Sequence, residues 1–154
     1  MIAFEKTIKH LLTLLTFPEL GISIQESDTE IQVTLTLSPE DSGVMIGFHG
    51  EKIDALQLLL SLMYNHGQTD FKPVRLDING YRARRAEGLN ELADKAASQA
   101  LESGREIILP PLSPSERRLV HVHLSTRQDV ATYSEGEGRN RRLIIRPQKT
   151  QSSE

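Results

Sequence analysis

The sequence predicts an α+β protein in two parts joined by a long helix. Three observations predict it. Residues 30–37 and 73–79 alternate apolar and polar side chains with the period of a half-buried strand. Residues 2–16, 51–65 and 80–104 carry apolar side chains at helical spacing. The strings Ser38-Pro39-Glu40-Asp41 and Ser113-Pro114-Ser115-Glu116 place a capping serine, a first-turn proline and acids where a helix begins.

In order, Ile8, Leu11, Leu12 and Leu15 form the apolar stripe of a first helix, ended by Pro18 and Gly21. Residues 22–27 and 30–37 read as a hairpin about Asp28-Thr29, with Ile31, Val33, Leu35 and Leu37 on one face. A short helix follows Ser38 and stops at Gly47. A second spans Glu51 to about Asn65, with Ile53, Leu56, Leu60 and Met63 inward and Gly67 just past its end. A strand at 73–79 completes the order α-β-β-α-α-β.

The helix over 80–104 presents Leu89, Leu92, Ala93, Ala96, Ala100 and Leu101. Its first turns hold Arg82, Arg84 and Arg85, the unfavourable sign for a helix N-terminus. Either an acid such as Asp77 or Glu87 compensates them, or they face phosphate. A strand candidate at 105–109, a helix from Ser113 to about Thr126 and a hairpin around Gly136-Glu137-Gly138 follow. In the last strand Leu143 and Ile145 share one face, and Arg142, Ile144 and Arg146 the other. The expected divisions are 1–79, a connecting helix at 80–104, a small domain at 105–147 and a disordered tail at 148–154.

Composition is that of an ordinary folded protein, 38% hydrophobic and 25% charged. No apolar run approaches the roughly 18 residues of a membrane span, and no signal-peptide cleavage site follows the Leu-rich start. With no cysteine there is neither a disulfide framework nor a thiolate metal site. A cytoplasmic location and no membrane insertion are expected. The net charge of −3 hides an asymmetry. Residues 1–80 hold 5 Lys/Arg against 11 Asp/Glu, whereas residues 81–154 hold 13 against 10. The arginine-rich second half points to a polyanionic partner.

Between the two middle helices lies Val44-Met45-Ile46-Gly47-Phe48-His49-Gly50-Glu51-Lys52-Ile53. Glycines lacking Cβ let backbone amides approach a sugar-phosphate chain, and the helix that follows adds its positive end. This Gly-x-x-Gly and the α-β-β-α-α-β order resemble a type II KH domain. Then come Asp54-Ala55-Leu56-Gln57, Asp77-Ile78-Asn79-Gly80-Tyr81-Arg82, the string Leu112 to His121, and Ser134-Glu135-Gly136-Glu137. Together these strings resemble the Jag family of bacterial RNA-binding proteins, also called KhpB or EloR. That family joins a KH domain to an R-three-H domain, named for an Arg and a His separated by three residues. The resemblance covers roughly residues 1–147.

It implies a non-enzymatic binder of single-stranded RNA, or single-stranded DNA, acting as an RNA chaperone or post-transcriptional regulator tied to cell-envelope growth and division. It also implies a small KH-domain partner protein or self-association. The expected chain begins at the KH helix and lacks the family's extra N-terminal domain. In the KH loop the candidate RNA-binding residues are Ile46, Gly47, Phe48, His49, Gly50, Lys52 and Ile53, with Ile46 and Ile53 in the groove or in the core beside it. The family usually has Lys or Arg between the glycines; Phe48 and His49 stand there instead. Phe48 suits stacking on a base or contact with a protein.

In Arg117-x-x-x-His121 the two side chains share one helix face and can meet one phosphate. Arg118 and Arg142 join them as candidate phosphate ligands, with Arg82, Arg84, Arg85 and Arg146 as further basic surface. His121 and His123 point to different sides of a helix without a third ligand at metal spacing, so neither metal nor cofactor is expected. The alternative reading is a protein-interaction scaffold whose KH half is a dimer or partner surface, with nucleic acid touched through the second domain.

Overall fold

A computed structural model of the chain describes residues 2–17 and 21–148. The elements are α1 (Ile2–Leu14), β1 (Gly21–Glu26), β2 (Ile31–Thr36), α2 (Pro39–Ile46), α3 (Glu51–Asn65), β3 (Val74–Ile78) and α4 (Tyr81–Ser103). Then follow β4 (Ile107–Ile108), α5 (Pro114–Leu124), β5 (Val130–Glu135) and β6 (Arg142–Pro147). Two compact units divide at Arg82 and Ala83.

In the first unit β2 is central, antiparallel to β1 and parallel to β3. Alternation sets its two faces: Ile31, Val33, Leu35 and Leu37 are all buried, as are Val74, Leu76 and Ile78 of β3. Phe4, Ile8 and Leu12 of α1 and Ile53, Leu56 and Leu60 of α3 complete this core. The α1 stripe is phased one turn earlier than Ile8 to Leu15: Phe4 is buried, and Leu15 is exposed beyond the helix end. Met63 is half-buried. Pro18 lies outside the described residues.

Polar side chains fix the turns. Ser38 accepts from the Asp41 N–H at 3.1 Å, capping α2. Asn79, with φ +51°, accepts from the Leu37 N–H and donates to the Leu37 carbonyl, at 3.0 and 2.9 Å. Asp77 accepts from the Gly80 and Arg82 N–H groups and so neutralises the start of α4.

In the second unit β6 lies between β4 and β5, antiparallel to both. Its core joins Leu89, Ala93, Ala96, Ala97 and Ala100 of α4 to Val120 and Leu124 of α5 and to Leu143 and Ile145 of β6. Leu101, expected on the buried side, is exposed; Ala97 takes the position because the stripe follows the 3–4 spacing from Leu89. Ser113 and Glu116 form a reciprocal capping box at the start of α5. The tail expectation began at residue 148, but the Gln148 N–H still donates to the Asp129 carbonyl at 2.8 Å. Residues 149–154 lie outside the described residues.

Candidate nucleic-acid interface

The Gly47–Gly50 loop is a tight reversal between α2 and α3. Gly47 has φ +73° and ψ −172°, a region essentially closed to residues with a Cβ. His49 and Gly50 also have positive φ, and residues 48–50 make one 3₁₀ turn. Phe48 projects outward, 71% exposed, with its ring edge-on to His49 at 4.0 Å between centroids. Gly50 is buried against Tyr81, whose ring would stand 3.3 Å from a Cβ there.

Other loop candidates have structural duties. Ile53 is fully buried and belongs to the core beneath the loop, so it does not line a groove; Ile46 is half-buried at the same core. Lys52 lays its stem across Gly47, where a Cβ would come within 2.6 Å of its Cγ, and donates from Nζ to the Val44 carbonyl at 3.0 Å. The lysine nearest the clamp therefore closes the end of α2, whose last carbonyls lack helical partners.

Two arginines of the expected basic surface are also engaged. Arg82 donates to the Leu76 carbonyl, to Asp54 at 2.8 Å and to Gln57. Arg85 holds Glu116. Their side chains pair with Asp54 and Glu116, while Asp77 compensates the same helix start through the backbone N–H groups of Gly80 and Arg82. Arg84 and Arg146 are exposed.

The second unit contains a cleft of about 380 Å³ between α5 and the β5–β6 hairpin. Arg117, Arg118 and His121 line one side; Thr132, Ser134 and Arg141 line the other. The helical spacing of Arg117 and His121 puts both on this wall, as their sequence predicts. One Arg117 N–H group is spent on the Leu112 carbonyl at 2.6 Å, leaving four of its five donors. His121 Nδ1 is hydrogen-bonded to Thr132 Oγ1, which sets the ring across the cleft and leaves Nε2 for a ligand. Among the described residues the Arg118 and Arg141 side chains make no hydrogen bond or ion pair. Positive charge is thus concentrated where no carboxylate among the described residues pairs with Arg118 or Arg141.

Arg142, the expected fourth ligand, is not part of this wall. Its Nη1 donates to the Arg139 and Arg141 carbonyls within the hairpin turn. Arg141 replaces it, because residues 141, 143 and 145 share the face toward α5. The same alternation, extended one residue before the strand, puts it on that face.

His123 binds both oxygens of Asp94 at 3.1 Å, away from His121. Among the described residues no group of three His, Asp or Glu side chains is placed to hold a metal ion. No helix among the described residues is long and apolar enough to cross a membrane.

Residues 5–78 match the KhpA/KhpB KH-domain family and residues 87–147 match the R-three-H domain family. The chain belongs to the KhpB-type KH–R-three-H family. It is 38% identical over 124 residues to the RNA-binding protein KhpB of Clostridium symbiosum, across 80% of this chain and 56% of that one. To the RNA-binding protein KhpB of Bacillus subtilis it is 36% identical over 126 residues, across 80% and 60%. A KhpB of Lactiplantibacillus plantarum is 36% identical over 112 residues, 73% of this chain and 35% of that one. The chain thus spans three-fifths or less of the length of these relatives. In family terms, the Gly47–Gly50 loop belongs to the KH domain and the arginine cleft to the R-three-H domain.

Proposed function

We propose that the chain binds single-stranded RNA, chiefly through phosphate contacts in the R-three-H cleft. The observation that carries this reading is the pair Arg118 and Arg141, unanswered by any described carboxylate, facing each other beside Arg117 and His121. Arginine forks match phosphate oxygens, and neutralising phosphates releases counterions. The KH loop adds a second contact made by backbone and by the exposed Phe48 ring, without a free lysine. Two weak sites on one chain reinforce each other through effective concentration.

This reading makes the protein a cytoplasmic, non-catalytic binder, an RNA chaperone or regulator in cell-envelope growth and division. The relatives' printed names support the RNA; the resemblance supports the process. Titration of a labelled unstructured RNA at two salt concentrations tests it. Affinity should fall steeply with salt, and no binding at low salt would end the proposal.

A second reading has its own observation. Leu58, Leu59 and Leu62 of α3 are 61%, 41% and 61% exposed, an apolar stripe at one-turn spacing on the KH domain. We infer a protein-contact face there, for a second copy or a small KH protein. Mass measurement in solution of the wild type and of Leu62→Lys tests it; a monomer in both, with and without the small KH protein, would remove this reading.

A further inference from the structure

The sheet of the second unit has two faces. Leu143 and Ile145 point into the core, with Thr132 and Ser134 beside them on β5. Ile144 takes the opposite face, opposite Tyr133 on β5 and Ile108 on β4. It lies outside that core and is nevertheless only 5% exposed. Its cover comes from its own face. Tyr133 donates its hydroxyl to Glu106 Oε2 at 3.0 Å, and Glu106 immediately precedes β4. The ring therefore reaches from edge strand β5 across central strand β6.

Held between β5 and Glu106, the Tyr133 ring lies on the face that Ile144 shares and remains partly open to solvent. Tyr133 is 37% exposed and Ile108 beside it 65%. Arg146 follows on the same face, opposite the small Ala131. Tyr133 belongs as well to the lining of the arginine cleft. Cleft and outer face thus meet at β5.

We propose that Tyr133 is a base-stacking residue: an RNA strand whose phosphate sits between Arg118 and Arg141 continues over β5 and lays a base on the Tyr133 ring, with Arg146 against the next phosphate. This rests on the RNA-binding reading of the cleft. Every base has a π-face, so the subsite selects bases over bare backbone without reading sequence. The hydrogen bond to Glu106 holds the ring in place before the base arrives, which lowers the ordering cost.

The test uses the full chain with two labelled probes of equal length, an oligouridylate and an abasic ribose-phosphate chain. Tyr133→Leu keeps an apolar cover on Ile144, and thermal melting confirms its fold. It should lose about tenfold in affinity for the oligouridylate and nothing for the abasic chain. Tyr133→Phe should keep most of the affinity. Equal losses on both probes, or no loss on either, would overturn the stacking role and leave the cleft reading standing. Failure of the wild type to bind either probe would overturn both. Unchanged RNA affinity together with lost self-association would assign the face to a protein and overturn the proposal.

Discussion

Arg85 of α4 and Glu116 of α5 meet through two hydrogen bonds, Nε and Nη2 each 2.7 Å from the same carboxylate oxygen, Oε1. The other oxygen of Glu116 accepts from the Ser113 N–H at 2.7 Å. One carboxylate thus closes the capping box of α5 and ties α5 to α4. Its side chain is 9% exposed, that of Arg85 34%. The two partners are therefore unequal. Arg85→Ala leaves a nearly buried carboxylate without its countercharge and should cost about 3–5 kcal/mol. Glu116→Gln keeps the box acceptor and leaves a half-exposed guanidinium to water, costing about 1 kcal/mol. Urea unfolding of both variants checks the order. Equal and small losses would mean that Arg85 is surface charge after all.

The KH loop depends on Gly47 more than on what stands between its glycines. Gly47→Ala must force a Cβ into a glycine-only region of backbone space and displace Lys52 from the Val44 carbonyl. Destabilisation of about 1–3 kcal/mol is expected. Phe48→Ala, at an exposed position, should stay within about 0.5 kcal/mol of the wild type. Thermal melts of the two variants compare them directly, and reversal of the ranking would refute this account of the loop.

Acid should weaken the second unit through Asp129. The hydrogen bonds from Arg127, at 2.9 and 2.7 Å, hold the Asp129 carboxyl below its ordinary value. A depressed folded-state pKa contributes stability that is present above the unfolded value, about 3.9 for Asp, and lost as pH falls through the lower folded value. The melting temperature of the wild type should therefore exceed that of Asp129→Asn at neutral pH. The gap should begin to close as pH falls toward 4 and shut further below it. A gap independent of pH would contradict the pairing.

Base should reach Tyr133 late. Burial first, then its hydrogen bond to Glu106, push its hydroxyl above the ordinary tyrosine value. A raised folded-state pKa gives stability that is full below the unfolded value, about 10, and lost as pH rises through the folded one. A tyrosinate absorbance titration should show a step above the ordinary tyrosine value. Tyr133→Phe should remove that late step; its persistence would place it on another tyrosine.

Local physics made much of the fold legible. Period-2 alternation marked β2 and β3 because one face of each is fully buried, and Ser-Pro starts marked α2 and α5 because their caps are short-range. Ion pairs were not legible. Asp54 and Glu116 stand 28 and 31 residues from Arg82 and Arg85, so nothing near those arginines shows that they are engaged. Lys52 bonds a carbonyl 8 residues back, beyond helical spacing. Arg141 shares a strand face with Leu143 and Ile145, which reads as core, so alternation alone does not mark it as a ligand. Ile144 shares a strand face with Arg142 and Arg146, and nothing in that alternation shows that it is buried.

On the proposed reading Arg118 and Arg141, not Arg142, hold phosphate. The direct measurement is RNA affinity against salt concentration for Arg118→Ala, Arg141→Ala and Arg142→Ala beside the wild type. Each of the first two should weaken binding on every sequence and lower the log–log salt slope by about 1. Arg142→Ala should leave the slope unchanged. A slope reduced by Arg142→Ala and untouched by Arg118→Ala and Arg141→Ala would contradict the account.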